Sequence, residues 1–338
     1  MRGSGGRRKC EAVAEGDSVR SPGSLGNRCA GVEALPPKPL DLLRWAVRGA
    51  ASEVAGSRLT SGRGSSVGKI AVTGVTGNLG RVVVEDLLGR VEPGDVVAIA
   101  RTPEKAAHLA ACGAEVRFGD YDEPASLDGA LAGVEVLLLV SGPDLTPGVR
   151  VAQHLAVVER AARAGVRRLV YTSGIGAEEG QGFAADHTAT EKAVVESGLA
   201  HTFLRNALYS EAFLGAALAE ARGSGTVTSS TAGGPLNTAR LRDLALAASA
   251  ALTGTGHENA TYELRGPLWT YPELAGVLSR ALSEPVAYRE VSDAEAGWLG
   301  SLAPAVRAGA FARTGPDLAR LLGRPPASLE DTVTALLA

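Results

Sequence analysis

Lys69–Gly80 reads KIAVTGVTGNLG, and this stretch decides the fold of the chain. A β-favouring pentad runs into glycines at positions 74, 77 and 80, and a helical pattern begins at once. A helix N-terminus offers unpaired N–H groups and roughly half a positive charge, so it can hold a phosphate. We expect Gly74 to make the turn, Gly77 to admit a pyrophosphate and Gly80 to let the helix lie close on the strand. An ordinary glycine-rich turn is the alternative, which the flanking strand and helix disfavour.

Strand and helix patterns alternate after this turn. Strands are predicted at 95–100, 115–118, 134–140, 168–172 and 201–204, and helices at 149–164 and 185–197. Strands separated by helices favour a parallel sheet with right-handed crossovers. We therefore predict an α/β fold with a Rossmann-type doubly wound parallel sheet, which binds ligands beyond the carboxyl ends of its strands.

The pattern changes after about Arg205. Helical pieces at 209–222, 241–252, 271–282 and 328–337 alternate with short extended pieces at 226–228, 261–264 and 285–290. We predict that residues 67–205 form an NAD(P)-binding Rossmann core. Residues 206–338 are predicted to form a smaller C-terminal α/β substrate lobe that walls one side of the cofactor cleft.

Residues 1–66 differ in composition from the rest, because glycine, serine, arginine and proline dominate them. Such a composition rarely builds a packed unit, so we expect a disordered N-terminal extension with one short amphipathic stretch at Leu40–Val54. A targeting or partner-binding tail is the alternative. A translation start near Val67 would instead make the tail an artefact.

Charge and cysteine content exclude several functions. Residues 1–67 hold eleven basic and six acidic residues (+5), and the remainder holds 23 basic and 31 acidic residues (−8), so nucleic acid is a poor partner. The three cysteines, Cys10, Cys29 and Cys112, lack metal-ligand spacing, so we expect no metal site, no disulfide framework and a reducing compartment. No apolar run approaches a membrane span of about 18 residues, and no secretory signal is evident. We predict a cytoplasmic location.

Arg101 indicates which dinucleotide binds. NAD-binding versions of this unit place an acidic residue about 20 positions after the glycines. Here Arg101 stands 21 residues after Gly80, at the end of the second predicted strand. An arginine can bind a 2′-phosphate bidentately, whereas a carboxylate would repel it. With Lys105 as a second charge, the sequence predicts NADPH in preference to NADH.

Two further loops follow predicted strands. Asp120-Tyr121-Asp122 lies just past the third strand, where an adenine would rest, although a solvated turn is an equal alternative. Ser141-Gly142-Pro143 ends the fourth strand, and its small residues would let the backbone lie along the ribose and nicotinamide.

Several stretches together resemble a known family. They are TGVTGNLG, AIARTPEKA at 98–106, LLLVSG at 137–142, GVRRLVYTS at 165–173, HTATEKAVVESGL at 187–199, FLRNALYSE at 203–211 and LLGRPP at 321–326. The chain resembles an NmrA-like, atypical short-chain dehydrogenase. More narrowly, residues 67–338 resemble the bacterial type-2 NAD(P)H:quinone oxidoreductases.

The resemblance implies hydride transfer from NADPH to a quinone or similar small electrophile, without flavin. It implies that the backbone of the glycine turn wraps the pyrophosphate, through Gly74, Val75, Thr76, Gly77, Asn78 and Leu79. It implies that Arg101 binds the 2′-phosphate, and that two loops line the nicotinamide ribose and ring. These loops are Ser141, Gly142 and Pro143, and Asn206, Ala207, Leu208, Tyr209, Ser210, Glu211 and Ala212. Tyr209 would also shape the substrate face. The sequence leaves a homodimer open.

The chain departs from the wider short-chain dehydrogenases at their Tyr-x-x-x-Lys pair. Lys192 is present and is predicted to bond the nicotinamide ribose, but Thr188 stands where the tyrosine would be. A threonine hydroxyl is far too weak an acid to replace the phenol. This disfavours alcohol–ketone chemistry, whereas a quinone is already a good hydride acceptor. Ala212 is a second departure, because the family pattern often has asparagine there.

Alternatives to the reductase remain. Catalytic roles are predicted for Lys192 and Tyr209, and His187 could face the cleft, while the other four histidines, His154 among them, are given no role. A non-catalytic, NADP-binding redox sensor that regulates a partner protein is the main rival. An epimerase that holds NAD tightly is disfavoured by Arg101 and Thr188.

Overall fold

A computed structural model describes residues 68–180 and 184–338. The predictions for residues 1–66 therefore lie outside the described residues. The strands are β1 (Lys69–Val72), β2 (Val96–Ala100), β3 (Glu115–Phe118), β4 (Val134–Leu139), β5 (Arg168–Gly174), β6 (Ala200–Asn206), β7 (Leu208–Tyr209), β8 (Thr226–Ser229), β9 (Leu236–Ala239), β10 (Ala260–Leu264), β11 (Leu268–Trp269) and β12 (Ala287–Glu290).

The α-helices connect these strands. They are α1 (Asn78–Arg90), α2 (Ala107–Ala111), α3 (Ser126–Ala130), α4 (Val149–Arg163), α5 (Ala185–Glu196), α6 (Ser210–Ser224), α7 (Leu241–Thr253), α8 (Tyr271–Leu282), α9 (Ala303–Arg307), α10 (Asp317–Leu322) and α11 (Leu329–Leu337).

Within the described part of the chain, seven parallel strands form the main sheet in the order β10-β6-β5-β4-β1-β2-β3. The strand order reverses between β1 and β4, so a crevice opens beyond their carboxyl ends. This confirms the predicted doubly wound α/β fold. The central strands are apolar on both faces, as the sequences VVAIA of β2 and VEVLLL of β4 show.

Helices cover both faces of the sheet. Helices α1 and α7 pack together on one face, and α4 and α5 pack together on the other. Two clusters of buried apolar side chains fill the two sides, one centred on Ile70, Val83 and Leu244 and the other on Leu137, Val157 and Leu169. The carboxyl edge of the sheet is thereby held between two packed layers.

The C-terminal region contributes to the main sheet as well as to its own. The pattern predicts Thr261–Leu264 as part of the smaller lobe, but this piece lies in the edge strand β10 beside β6. Helix α10 packs on β10, where the Glu263 N–H donates to Asp317 Oδ2 at 3.0 Å. Two small sheets, β11-β9-β7 and β12-β8, complete the region among the described residues.

One expectation about the cysteines is wrong. Cys112 follows α2 directly and is disulfide-bonded, whereas the sequence predicts no disulfide. The low cysteine count therefore no longer supports a reducing compartment.

Candidate active site

The glycine turn joins β1 to α1 with the predicted geometry. Gly74 has φ +62°, in the left-handed region that favours glycine, and its carbonyl accepts from the Gly77 N–H at 3.0 Å. Helix α1 begins at Asn78, and its N-cap residue, Gly77, provides no side-chain cap. A Cβ on Gly80 would lie 2.6 Å from the Gly74 carbonyl oxygen, so only glycine lets the helix approach the turn.

Side chains of the turn face two ways. Val75 and Leu79 are buried in the core, whereas Gly74, Thr76 and Gly77 are exposed and Asn78 is half-buried. The surface that the turn offers is therefore largely backbone. The first N–H groups of a helix have no intrahelical partner, so they are free to bind an anion there.

Arg101 follows β2 directly, and its side chain is exposed. No ion pair within the described ranges holds its guanidinium, and its charge acts on the nearby Tyr121. Lys105, in the short 3-10 helix Pro103–Ala106, is also exposed. Both cations are thus available on the Arg101 side of the crevice.

Tyr121 and Thr73 form the floor of the crevice. The Tyr121 hydroxyl lies 2.5 Å from Thr73 Oγ1 and 2.9 Å from the Val140 carbonyl oxygen. Thr73 Oγ1 also donates to the Leu138 carbonyl and accepts from the Val140 N–H. Burial raises the pKa of the Tyr121 hydroxyl. The loop predicted to meet adenine thus sends Tyr121 inward to join the ends of β1 and β4.

The Ser141–Pro143 loop is held from below by side chains. The Ser141 N–H donates to Thr172 Oγ1 at 2.8 Å, and the Gly142 N–H donates to His154 Nε2 at 2.9 Å. Gly142 is buried and Pro143 is exposed. These bonds fix the backbone at the carboxyl end of β4.

A line of buried polar rings continues from this loop. His154 Nδ1 lies 3.0 Å from Thr190 Oγ1 and 3.3 Å from the Tyr171 hydroxyl, which lies 2.8 Å from His187 Nδ1. Burial lowers the pKa of His154 to about 3 and that of His187 to about 4, with Arg150 adding to both shifts. Both imidazoles are therefore neutral at pH 7.

Asn206 ends β6, two strands away from β4. Its side chain is 8% exposed and bonds the Tyr209 hydroxyl, but its Oδ1 has no partner among the described residues. Tyr209 is half-buried, and burial raises its pKa. The Ala207 N–H donates a hydrogen bond to the Leu264 carbonyl oxygen, and Leu208 lies half-buried in β7. Buried amide oxygens are normally bonded, so Asn206 indicates a missing donor.

Ser210 and Glu211 are placed differently from the prediction. Ser210 Oγ lies 2.8 Å from Thr238 Oγ1, and the Glu211 carboxylate accepts from the Leu241 N–H at 3.0 and 3.1 Å. Glu211 thus satisfies the open N-terminus of α7. Both side chains act inside the C-terminal region, and Ala212, half-buried in α6, has no polar group to offer.

Lys192 also needs a correction. Its side chain is 74% exposed and lies 3.7 Å from Glu196, so the structure does not bring it to the crevice. The preceding residue, Glu191, faces inward instead. Its carboxylate accepts from Ser173 Oγ at 2.6 Å and from Arg205 at 2.8 and 3.0 Å.

The Thr188 hydroxyl is committed to structure. It lies 2.5 Å from the Ala177 carbonyl and 3.2 Å from the Ala184 carbonyl, to which it can only donate. The residue that replaces the dehydrogenase tyrosine therefore ties a loop to α5.

Sequence reasoning missed three residues of this site, namely Tyr121 as a support, Tyr171 and His154. One signal was available for His154. His154 lies on the same face of α4 as Val157, Val158 and Ala161, and this spacing is typical of a buried helix face. A histidine on such a face needs partners, and these come from β5, α5 and the Gly142 backbone.

Comparison with known proteins places this geometry in a family. A family model described as NAD(P)H-binding matches residues 74–231. Quinone oxidoreductase 2 of Escherichia coli is 36% identical over 283 residues, covering 79% of this chain and 98% of that protein. The chain belongs to this family of NAD(P)H-binding reductases.

Further members agree in fold and span. The Citrobacter sp. triphenylmethane reductase, solved with NADP(H), has a TM-score of 0.76 and 38% identity, covering 79% of this chain and 99% of that chain. The E. coli quinone oxidoreductase with NADPH has a TM-score of 0.73 and 36% identity, covering 80% and 100%. A (4-alkanoyl-5-oxo-2,5-dihydrofuran-3-yl)methyl phosphate reductase of Streptomyces griseus is 34% identical, covering 78% of this chain and 95% of that protein.

The crevice fits the dinucleotide of this family on two observations. The glycine cradle at Gly80 admits no Cβ, and no donor within residues 68–180 and 184–338 reaches the Asn206 amide oxygen. Across residues 68–180 and 184–338, no helix combines the length and apolar character that crossing a bilayer requires.

Proposed function

We propose that this protein is an NADPH-dependent reductase that transfers hydride directly to a quinone or similar small electrophile. The observation that carries this proposal is the exposed Arg101 guanidinium, without an ion pair among the described residues, at the mouth of a glycine-lined crevice. The E. coli, Streptomyces and Citrobacter relatives are all reductases, and they are named for different acceptor compounds. This spread supports an acceptor defined by its electrophilicity.

The cofactor contacts are proposed residue by residue. The backbone of Gly74, Val75, Thr76, Gly77, Asn78 and Leu79 would bind the pyrophosphate, and Arg101 with Lys105 would bind the 2′-phosphate. Ser141, Gly142 and Pro143 would lie along the nicotinamide ribose. Asn206 would accept a hydrogen bond from the carboxamide through its unpartnered Oδ1, and Tyr209 would support Asn206 and border the acceptor.

For this reaction the protein has mainly to position the nicotinamide ring against the acceptor. Bound NADPH supplies the hydride, and the reduced acceptor completes the reaction by taking one proton from water. Gly142 and Asn206 orient the ring, and the buried floor below them excludes water. Because the Thr188 hydroxyl is committed to carbonyl oxygens, Thr188 cannot act as the acid that the dehydrogenase tyrosine supplies to an alcohol or ketone.

Three further points remain proposals. Residues 67–205 would hold the cofactor, while residues 206–338 would supply the substrate lobe. Strand β10 is the exception, because it belongs to the main sheet. A cytoplasmic location is proposed, and the homodimer left open by the sequence stays a prediction to be tested by the mass of the assembly in solution.

The test is NADPH oxidation by the purified full chain with a panel of benzoquinones, followed by absorbance. We expect rapid turnover with NADPH and slow turnover with NADH. Tight NADPH binding without oxidation of any acceptor would contradict the reductase. That outcome would instead favour the rival function, a redox sensor that reads NADP and regulates a partner protein.

A further inference from the structure

The polar line from Gly142 to His187 fixes more than the backbone. Each group along it has a limited set of hydrogen-bond donors and acceptors, so the distances between the groups determine which nitrogen of each histidine carries the proton. The five groups are the Gly142 N–H, His154, Thr190, Tyr171 and His187. The inference drawn from this line rests on the proposed function, since it concerns the acceptor of the hydride.

The first proton to place is that of His154. A backbone N–H can only donate, so the Gly142 N–H at 2.9 Å makes His154 Nε2 an acceptor. A neutral imidazole carries one proton, which must then lie on Nδ1. Thr190 Oγ1 can receive it, because the Thr190 hydroxyl donates its own proton to the Asp186 carbonyl at 2.8 Å.

The second proton to place is that of Tyr171. Its hydroxyl lies 3.3 Å from His154 Nδ1, which already carries a proton, and 2.8 Å from His187 Nδ1. It also meets the Thr190 hydroxyl, whose oxygen already accepts from His154 Nδ1. The shorter contact and the occupied His154 nitrogen both direct the Tyr171 proton to His187. Burial raises the pKa of Tyr171, so it keeps its proton and can donate it.

The proton on His187 is then on Nε2. No hydrogen bond within the described ranges engages that nitrogen, and the ring is half-buried rather than enclosed. A Cβ built on Gly174 would lie 3.2 Å from Nε2 and 3.0 Å from Cδ2. Gly174 ends β5, pairs in register with Asn206 and lies one strand away from the Ser141 loop, which ends β4.

We propose that His187 is a catalytic residue whose Nε2–H donates a hydrogen bond to the carbonyl oxygen of the acceptor. As hydride adds, this oxygen gains negative charge, and a fixed donor stabilises that charge. His187 keeps its proton, and water supplies the proton that completes the hydroquinone. Tyr171 and His154 are positioning residues, which hold His187 in the tautomer that can donate.

The tautomer can be read without activity. In long-range ¹H–¹⁵N spectra of the ¹⁵N-histidine-labelled full chain at pH 7, the five imidazoles are resolved, and single variants assign them. We expect a neutral Nε2–H form for His187 and a neutral Nδ1–H form for His154. In Tyr171→Phe we expect His187 to lose its single tautomer. A His187 that carries its proton on Nδ1 would overturn the proposal.

Kinetics test the role toward the acceptor. We expect His187→Leu to lower kcat with a benzoquinone by about tenfold or more, with NADPH affinity changed by less than about twofold. His187→Gln keeps an N–H at the Nε2 position and should retain most of that kcat. His108→Gln, an exposed histidine on α2, is the matched control.

The outcomes separate the two proposals. A His187→Leu protein with wild-type kcat overturns the donor role while the reductase stands. A wild-type protein that binds NADPH but reduces no quinone overturns the proposed function and the donor role together. The wild-type measurement with the benzoquinone panel therefore comes first.

Discussion

The two ends of the crevice are built in different ways. At the proposed phosphate end, a single stretch from β1 to α1 supplies the turn, and the groups it offers are mostly backbone. At the proposed nicotinamide end, β4, α4, β5, α5 and β6 each supply one or two residues, and buried side-chain hydrogen bonds hold them. Local sequence specifies the first end, whereas only the assembled fold specifies the second. Each prediction below tests this contrast.

The largest effect is expected from Gly80→Ala. Its Cβ would lie 2.6 Å from the Gly74 carbonyl, so α1 must move away from the turn. Overpacking of this kind costs about 1–3 kcal/mol of unfolding free energy. We expect NADPH affinity to fall on the order of a hundredfold, about 2.7 kcal/mol, by calorimetry. Gly89→Ala on the same helix meets nothing within 4 Å and is the matched control, and equal effects of the two would contradict the cradle.

Arg101→Ala tests the same end through a side chain. We expect NADPH affinity to fall about tenfold or more, roughly 1.4 kcal/mol or above, while NADH affinity changes little. Dissociation constants for both cofactors are the measurement. Arg163, a 63% exposed arginine far along α4, provides the control substitution to alanine. Equal losses for NADPH and NADH would show that Arg101 does not meet the 2′-phosphate.

Acid should weaken the nicotinamide end. The pKa of His154 is lowered to about 3, by burial first, then by His187 and Arg150. The pKa of His187 is lowered to about 4, by burial first and then by Arg150, while Glu191 and Asp186 oppose this shift. Unfolded histidines take up protons near pH 6.5, so protons favour the unfolded chain below that pH. We expect the unfolding free energy to fall from about pH 6.5 towards pH 4, by up to about 1.4 kcal/mol per pH unit for each histidine.

Urea unfolding at pH 7, 6 and 5 measures this loss. His154→Gln removes one of the two groups, so its stability should fall less steeply with acid than that of the wild type. His108→Gln should follow the wild type. Parallel curves for His154→Gln and the wild type would show that His154 is not held neutral by the fold.

The smallest effect is expected from Lys192→Ala. An ion pair as exposed as Lys192–Glu196, at 3.7 Å, contributes at most about 0.5 kcal/mol to stability. We expect NADPH affinity within about twofold of the wild type and an unchanged kcat with a benzoquinone. A tenfold loss of NADPH affinity would restore Lys192 to the ribose, where the dehydrogenase pattern places it.

The sequence predicts most of the sheet because strand patterns are local. Glu115–Phe118 and Tyr271–Leu282 match their predicted bounds, and β1, β2, β4 and β5 differ by one or two residues at their ends. The placement of β10 could not be predicted in this way. The β6 residues with which it pairs lie 58 positions earlier, as in Ala260 and Thr202, and a short extended piece carries no signal of which sheet it will join.

The candidate site is predictable from the sequence only where it is built from backbone groups. The glycine spacing identifies the turn directly. Side-chain direction is harder, because consecutive helical residues point about 100° apart, so Glu191 turns inward and Lys192 does not. The Glu211 carboxylate accepts a hydrogen bond from the Leu241 N–H at the N-terminus of α7, which lies 30 residues later in the sequence. The spacing within α4 shows that His154 is buried, but all its hydrogen-bond partners lie outside α4, so the helix alone does not show which groups it contacts.

Asp317 gives the outer border of the main sheet a consequence for assembly. The exposed border of a terminal strand is a template on which another molecule can add a strand. Here the Asp317 carboxylate occupies the outward amide of Glu263, and α10 lies over the strand. A second copy that added a strand at β10 would therefore have to displace both α10 and the Asp317 carboxylate. Loss of the carboxylate in Asp317→Ala would free one outward amide of β10, with α10 still beside it.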